Sequence, residues 1–169
     1  MMNPTPSFFA FSNNKEDIVL AIHTPVRLCP PFELANLDIS LIESAIWVNA
    51  LWDTGAMCSC ISKRCAEKLR LKQSDVATMG TASHIVESPI YSAHLLIPNF
   101  PTFTFLELLE YQEHVGDCDI IIGMDIISQG DLAITHLGGK TFLSFRIPSL
   151  QTIDFEADLR QMLKEKDPS

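Results

Sequence analysis

Ile120-Ile121-Ile122 is a run of three β-branched residues that Gly123 stops abruptly. A short continuous apolar run of this kind suits a strand buried on both sides, so the chain has to enclose at least one strand within a core. Short alternating segments surround it. Between Leu34 and Trp52 the pattern reads as two strands, with Ala35, Leu37, Ile39 and Leu41 alternating first. Ile46, Val48, Ala50 and Trp52 alternate after a turn near Glu43-Ser44, and Asp53 ends that strand. Asp75–Ser83 and Ile85–Ile97 read as a long hairpin with its tip near Ala82-Ser83-His84. Phe103–Leu109 follows the Pro98–Pro101 turn as a further strand, and Leu132–His136 pairs with Thr141–Ile147 across Gly138-Gly139.

Helical periodicity is rarer. Ser62–Leu71 places Ile61, Cys65 and Leu69 on one face, and Met124–Ser128 forms one turn closed by Gly130, with Asp125 as its cap. Asp154–Lys166 carries Phe155, Leu159, Met162 and Leu163 on one stripe, with acids early and lysines late. The first 16 or so residues, rich in Asn, Pro and Ser, read as a loosely held arm. Many short strands without βαβ alternation or an internal repeat make the fold mainly β.

Composition narrows the function. The 169 residues suffice for one domain, and 21 acids against 12 bases give a net charge of −9, which offers no footprint for a polyanion. Nucleic acid and anionic membrane surfaces are therefore not expected partners. No apolar run approaches the ~18 residues of a membrane span, and the N-terminus has neither the basic residues nor the apolar core of a secretory signal. Five cysteines (Cys29, Cys58, Cys60, Cys65, Cys118) at uneven spacing suit reduced thiols and a cytoplasmic location.

Other chemistry finds little support. Cys58-x-Cys60-x4-Cys65 is unlike paired zinc knuckles, and Asp117, Asp119 and Asp125 lie in no regular cation loop. The histidines are scattered without a paired spacing, so Cys/His catalysis is not indicated. Neither a metal nor a cofactor is expected. Trp47 and Trp52 are both expected to pack in the core.

Asp53-Thr54-Gly55, at the end of an apolar strand, is the segment that can carry a reaction. Its carboxylate can act as a base on water, its hydroxyl can brace a neighbouring loop, and its glycine exposes a backbone N–H beside the acid.

From Trp47 through Ala56, and on into Ile61-Ser62 and the helix, the chain resembles the active-site segment of the retropepsin-like aspartic proteases. Ile120–Ile127 resembles the apolar-apolar-Gly element that crosses behind the catalytic loop of that family, and Gly130–Thr135 continues it. Gly138–Pro148 is similar to the closing hairpin of single-lobe members encoded in bacterial and phage genomes. The resemblance covers about Leu34 to Pro148. It implies a single-lobe closed β-barrel or sandwich over residues 31–150, flanked by an N-terminal extension (1–30) and a C-terminal helical extension (151–169).

It also implies an aspartic endopeptidase acting on extended polypeptides. Such an enzyme needs two carboxylates sharing a proton, and a chain with one Asp-Thr-Gly supplies the second through a homodimer. Asp53, Thr54 and Gly55 become the catalytic segment. Ala56 and Ile122 are expected to line the pocket floor, Thr81, Ala82, Ser83 and His84 to form the flap over the substrate, and Gly123 and Asp125 to be structural. The retroviral enzymes brace this corner with an acid after the triplet and an Arg after the later Gly. This chain has Met57-Cys58 and Met124 there, so a different brace is expected. The rival reading is a catalytically silent protease-like module for dimerisation or peptide binding.

Overall fold

Alternation in β3 (Ile46–Trp52) sets the frame of the fold: Val48, Ala50 and Trp52 turn inward and are buried, while Trp47 turns outward. The computed structural model describes residues 9–32, 43–80, 85–100, 102–111 and 117–166. Ahead of β3 run β1 (Phe9–Lys15) and β2 (His23–Cys29). After it come β4 (Cys60–Ser62), helix α1 (Lys63–Lys68), β5 (Gln73–Gly80), β6 (Ile85–Leu96) and β7 (Phe103–Tyr111). The remainder is β8 (Ile120–Ile122), the single helical turn α2 (Met124–Ile127), β9 (Asp131–Leu137), β10 (Lys140–Ile147) and helix α3 (Phe155–Lys166).

Seven strands form one sheet in the order β2-β3-β8-β4-β7-β6-β5, and a further β2–β6 pairing closes it into a barrel. β8 lies inside, parallel to β3 with Trp52 opposite Ile122 and antiparallel to β4 with Cys60 opposite Ile121. Ile120 and Ile122 are fully buried and Ile121 is half-buried, as a covered apolar strand requires. A second sheet, β1-β10-β9, turns its hairpin at Gly138 and Gly139, where φ values of 63° and 78° suit glycine. Trp52 joins the two sheets, its ring centroid 6.4 Å from that of Phe11 and 5.1 Å from that of Phe145. Its indole N–H donates to Thr24 Oγ1 at 2.9 Å, which satisfies both buried polar groups.

Three expectations change. The loosely held arm is a strand from Phe9 onward: β1 pairs with β10 from Phe9↔Ile147 to Lys15↔Thr141 and buries Phe11. The polar Ser12-Asn13-Asn14 stretch concealed it, because an edge strand takes its order from its neighbour rather than from its own periodicity. β2 likewise belongs to the barrel sheet although it lies within residues 1–30. Trp47 is exposed, with the Arg27 guanidinium 5.8 Å from the centre of its ring, because the pleat that buries Trp52 directs Trp47 outward. The expected Ala35–Leu41 strand lies outside the described residues.

Candidate active site

The end of β3 is clamped on both sides before the chain turns. Trp52 N–H donates to the Ile22 carbonyl at 3.0 Å, and Asp53 N–H to the Ile122 carbonyl at 3.0 Å. Nearer the start of β3, Asn49 N–H donates to Asp119 Oδ2 at 3.0 Å and Asp119 N–H donates back to the Asn49 carbonyl at 2.9 Å. Arg64, on α1, pairs with the other Asp119 oxygen at 2.8 Å. β3 and β8 therefore meet in one register, and Asp53 emerges at a defined point.

The turn then folds back on the acid. Gly55 N–H donates to Asp53 Oδ1 at 2.8 Å, and Ala56 N–H donates to the Asp53 carbonyl at 3.2 Å. Asp53 is half-exposed, Thr54 and Gly55 are exposed, and Ala56 is half-buried. A carboxylate oriented by a backbone donor yet open to water is equipped to accept a proton from it. It borders a shallow cavity of about 400 Å³ whose wall includes Leu20, Ile22, Trp52, Ile134 and His136, and among the described residues no other carboxylate lines it.

Behind the turn lies the brace. The fully buried Ser59 accepts from Gly123 N–H at 3.1 Å and donates its hydroxyl to Asp125 Oδ1 at 2.7 Å. Ser59 N–H donates to Asp125 Oδ2 at 2.9 Å, and Met124 N–H donates to the Ala56 carbonyl at 2.8 Å. These four bonds fasten the Asp53 loop to the start of α2. Only glycine fits at 123, where an added Cβ would lie 2.6 Å from the Cys58 carbonyl carbon.

Two site expectations are corrected. Asp125 is not the N-cap of α2, a position that Gly123 occupies: its carboxylate lies in the first turn, where Oδ1 accepts from Ile126 N–H at 3.0 Å, and both oxygens also accept from Ser59. Ile122 is fully buried in the core and cannot line a pocket floor. The odd-numbered neighbour Ile121 is the half-buried one, since adjacent strand residues face opposite ways. Thr81, Ala82, Ser83 and His84 lie outside the described residues, which end on the hairpin with Gly80 opposite Ile85. Sequence reading missed Ser59 and Asp119. Neither sits in a recognisable motif, and both act through partners between 55 and 70 residues away in sequence.

Cys60 and Cys65 are poor nucleophiles and poor ligands. Burial pushes Cys60 up to about 12, helped by neighbouring Cys58, and burial does the same for Cys65.

Comparison with known structures identifies the architecture as the retropepsin-like fold. The crystal structure of a retropepsin-like aspartic protease from Rickettsia conorii matches with a TM-score of 0.50 and 13% identity, over 83% of this chain and 96% of that one. The retroviral protease-like domain of Ddi1 from Leishmania major matches with a TM-score of 0.45 and 20% identity, over 81% and 99% of the two chains. No protein-family model matches the sequence, and no curated protein matches it.

Proposed function

We propose that this chain is an aspartic endopeptidase, active as a homodimer in which each subunit contributes one Asp53-Thr54-Gly55. The observation that carries the reading is a half-exposed Asp53 held by the Gly55 N–H at the end of a barrel strand, in a retropepsin-like fold, beside a cavity with no second carboxylate among the described residues. One acid cannot be proton donor and base at once. Two acids about 3 Å apart share a single proton because they cannot both ionise. A second copy supplies the missing carboxylate.

The surface around Asp53 suits such a partner. Leu20 and Ile134, in the wall of the cavity beside Asp53, are fully and partly exposed, and among the described residues β9 is the outer strand of its sheet. Exposed apolar side chains beside an unpaired strand edge favour burial against another chain.

In the dimer the ionised Asp53 takes a proton from a water between the two acids. That water attacks the peptide carbonyl, which the protonated Asp53 of the second copy polarises. A tetrahedral intermediate forms, and a proton then passes to the leaving nitrogen as the C–N bond breaks. Gly55 N–H holds the carboxylate in place throughout. Thr54, exposed at the turn, bonds to the opposing loop, and an extended substrate lies beside Ala56, bound by its backbone.

Incubation with denatured casein tests the reading. The wild-type chain is expected to cleave with a bell-shaped pH profile, as a coupled acid pair requires. Asp53→Asn is expected to lower the rate by about 10³-fold or more, and a pepstatin-type inhibitor to block it. Peptide binding without cleavage would establish the silent module instead. Cleavage that persists in Asp53→Asn rejects the mechanism.

A further inference from the structure

Helix α3 takes no part in this chemistry, yet its sequence specifies it closely. Asp154 Oδ1 accepts from the N–H groups of Glu156 and Ala157, each at 3.0 Å, and so caps the first turn. Arg160 pairs with Glu156, and Gln161 Nε2 donates to Glu165 Oε1 at 3.2 Å, one turn apart in each case. The other stripe has no cover among the described residues: Phe155, Leu159, Met162 and Leu163 follow one another at helical spacing and are between 55% and 76% exposed. Twelve residues is marginal for a helix alone in water, so its stability calls for burial of that stripe.

The charges along the helix select what covers it. Asp154, Glu156 and Asp158 precede Leu159, a net of −3, whereas Arg160, Lys164 and Lys166 against Glu165 and Asp167 leave the other end at +1. A parallel pair of such helices would set like charges together at both ends. An antiparallel pair sets each acidic end against a basic one while the apolar stripes meet in the middle. An anionic lipid surface fits less well, because the acidic first turn and a chain charge of −9 both oppose it.

We propose that α3 packs antiparallel on α3 of a second copy of this chain, as a strap that tightens the dimer. The inference rests on the homodimer reading above: once the barrels associate, the two helices meet at a raised effective concentration, which makes a short pair useful.

Sedimentation velocity of full-length variants over a concentration series tests it. Leu159→Glu with Leu163→Glu is expected to weaken dimerisation at least about tenfold. Reversing one end with Glu156→Lys and Asp158→Lys is expected to weaken it about fivefold, and adding Arg160→Glu and Lys164→Glu to restore it. An unchanged dissociation constant in the Leu159/Leu163 variant overturns the strap, and loss without charge-swap rescue overturns the antiparallel pairing. Co-sedimentation with phosphatidylserine vesicles that depends on Leu159 and Leu163, at unchanged dimer affinity, assigns the stripe to lipid and also overturns the strap. A strap that fails in a wild-type chain that still dimerises and cleaves casein leaves the protease reading standing. A wild type that is monomeric at every concentration removes the dimer itself.

Discussion

The corner behind Asp53 and helix α3 treat their chemical groups in opposite ways. At the corner, a buried serine, a carboxylate, the Ala56 carbonyl and three backbone N–H groups satisfy one another between the Asp53 loop and the start of α2. In α3 the polar groups pair along the helix, and the apolar stripe lies largely exposed among the described residues. The corner has one arrangement because each group there would be left buried and unpaired in any other. The helix carries its apolar face toward solvent, which a helix does when its partner lies outside its own chain.

Substitutions should separate these regions by size of effect. Ile122→Ala, in the wall between barrel core and Asp53 loop, is expected to cost about 4 kcal/mol, read from the denaturant midpoint. Gly123→Ala comes next at about 3 kcal/mol, because the new methyl collides with backbone of Cys58 rather than with a side chain that can move. A change below about 1 kcal/mol would show that the corner is less rigid than its bonds imply.

Ser59→Ala should cost about 2 kcal/mol, since it strips the Asp125 carboxylate of one donor and leaves the Gly123 N–H unpaired. It should also slow casein cleavage, with Ser59→Thr retaining more activity than Ser59→Ala.

Asp131, at the junction of the second sheet with the segment leading to α3, provides an intermediate case with its own pH signature. The Ser149 hydroxyl, the Leu150 N–H and the Arg146 guanidinium lower its pKa from 3.8 to about 2. The folded form therefore holds the charged carboxylate more strongly than the unfolded chain does. That contribution is complete above pH 4 or so and disappears as the pH falls toward 2. The stability gap between wild type and Asp131→Asn should accordingly be constant from pH 5 to 7 and narrow below that, as thermal melts at successive pH values will show.

Leu159→Ala should be the mildest, less than about 0.5 kcal/mol at concentrations where the chains are monomers. A large effect there would mean that α3 is covered by its own barrel, and the contrast between the two regions would dissolve.

Much of the barrel could be read before the structure was known. β3, the β5–β6 hairpin, β8 and the β9–β10 hairpin all stand where alternation and glycine placed them. The position of Asp53 at a strand end was equally legible, because a strand's periodicity breaks visibly at a charged residue followed by glycine. β1 was not, since its polar Ser12-Asn13-Asn14 stretch is ordered by the residues of β10 opposite. Nor was the brace, because a lone serine between two cysteines carries no sign of an aspartate 66 residues later.

What the sequence alone determined, then, was local: which segments alternate, where they stop, and that a single Asp-Thr-Gly follows an apolar strand. Tertiary structure decided which partner each polar group found. It buried Ile122 and left Ile121 half-covered, turned Trp47 outward, joined Asp125 to the distant Ser59, and brought the N-terminal segment into the sheets. The division is physical. Backbone propensity and periodicity act over a few neighbouring residues, whereas the burial of a side chain and the satisfaction of a hydrogen bond depend on groups that only the closed barrel brings together.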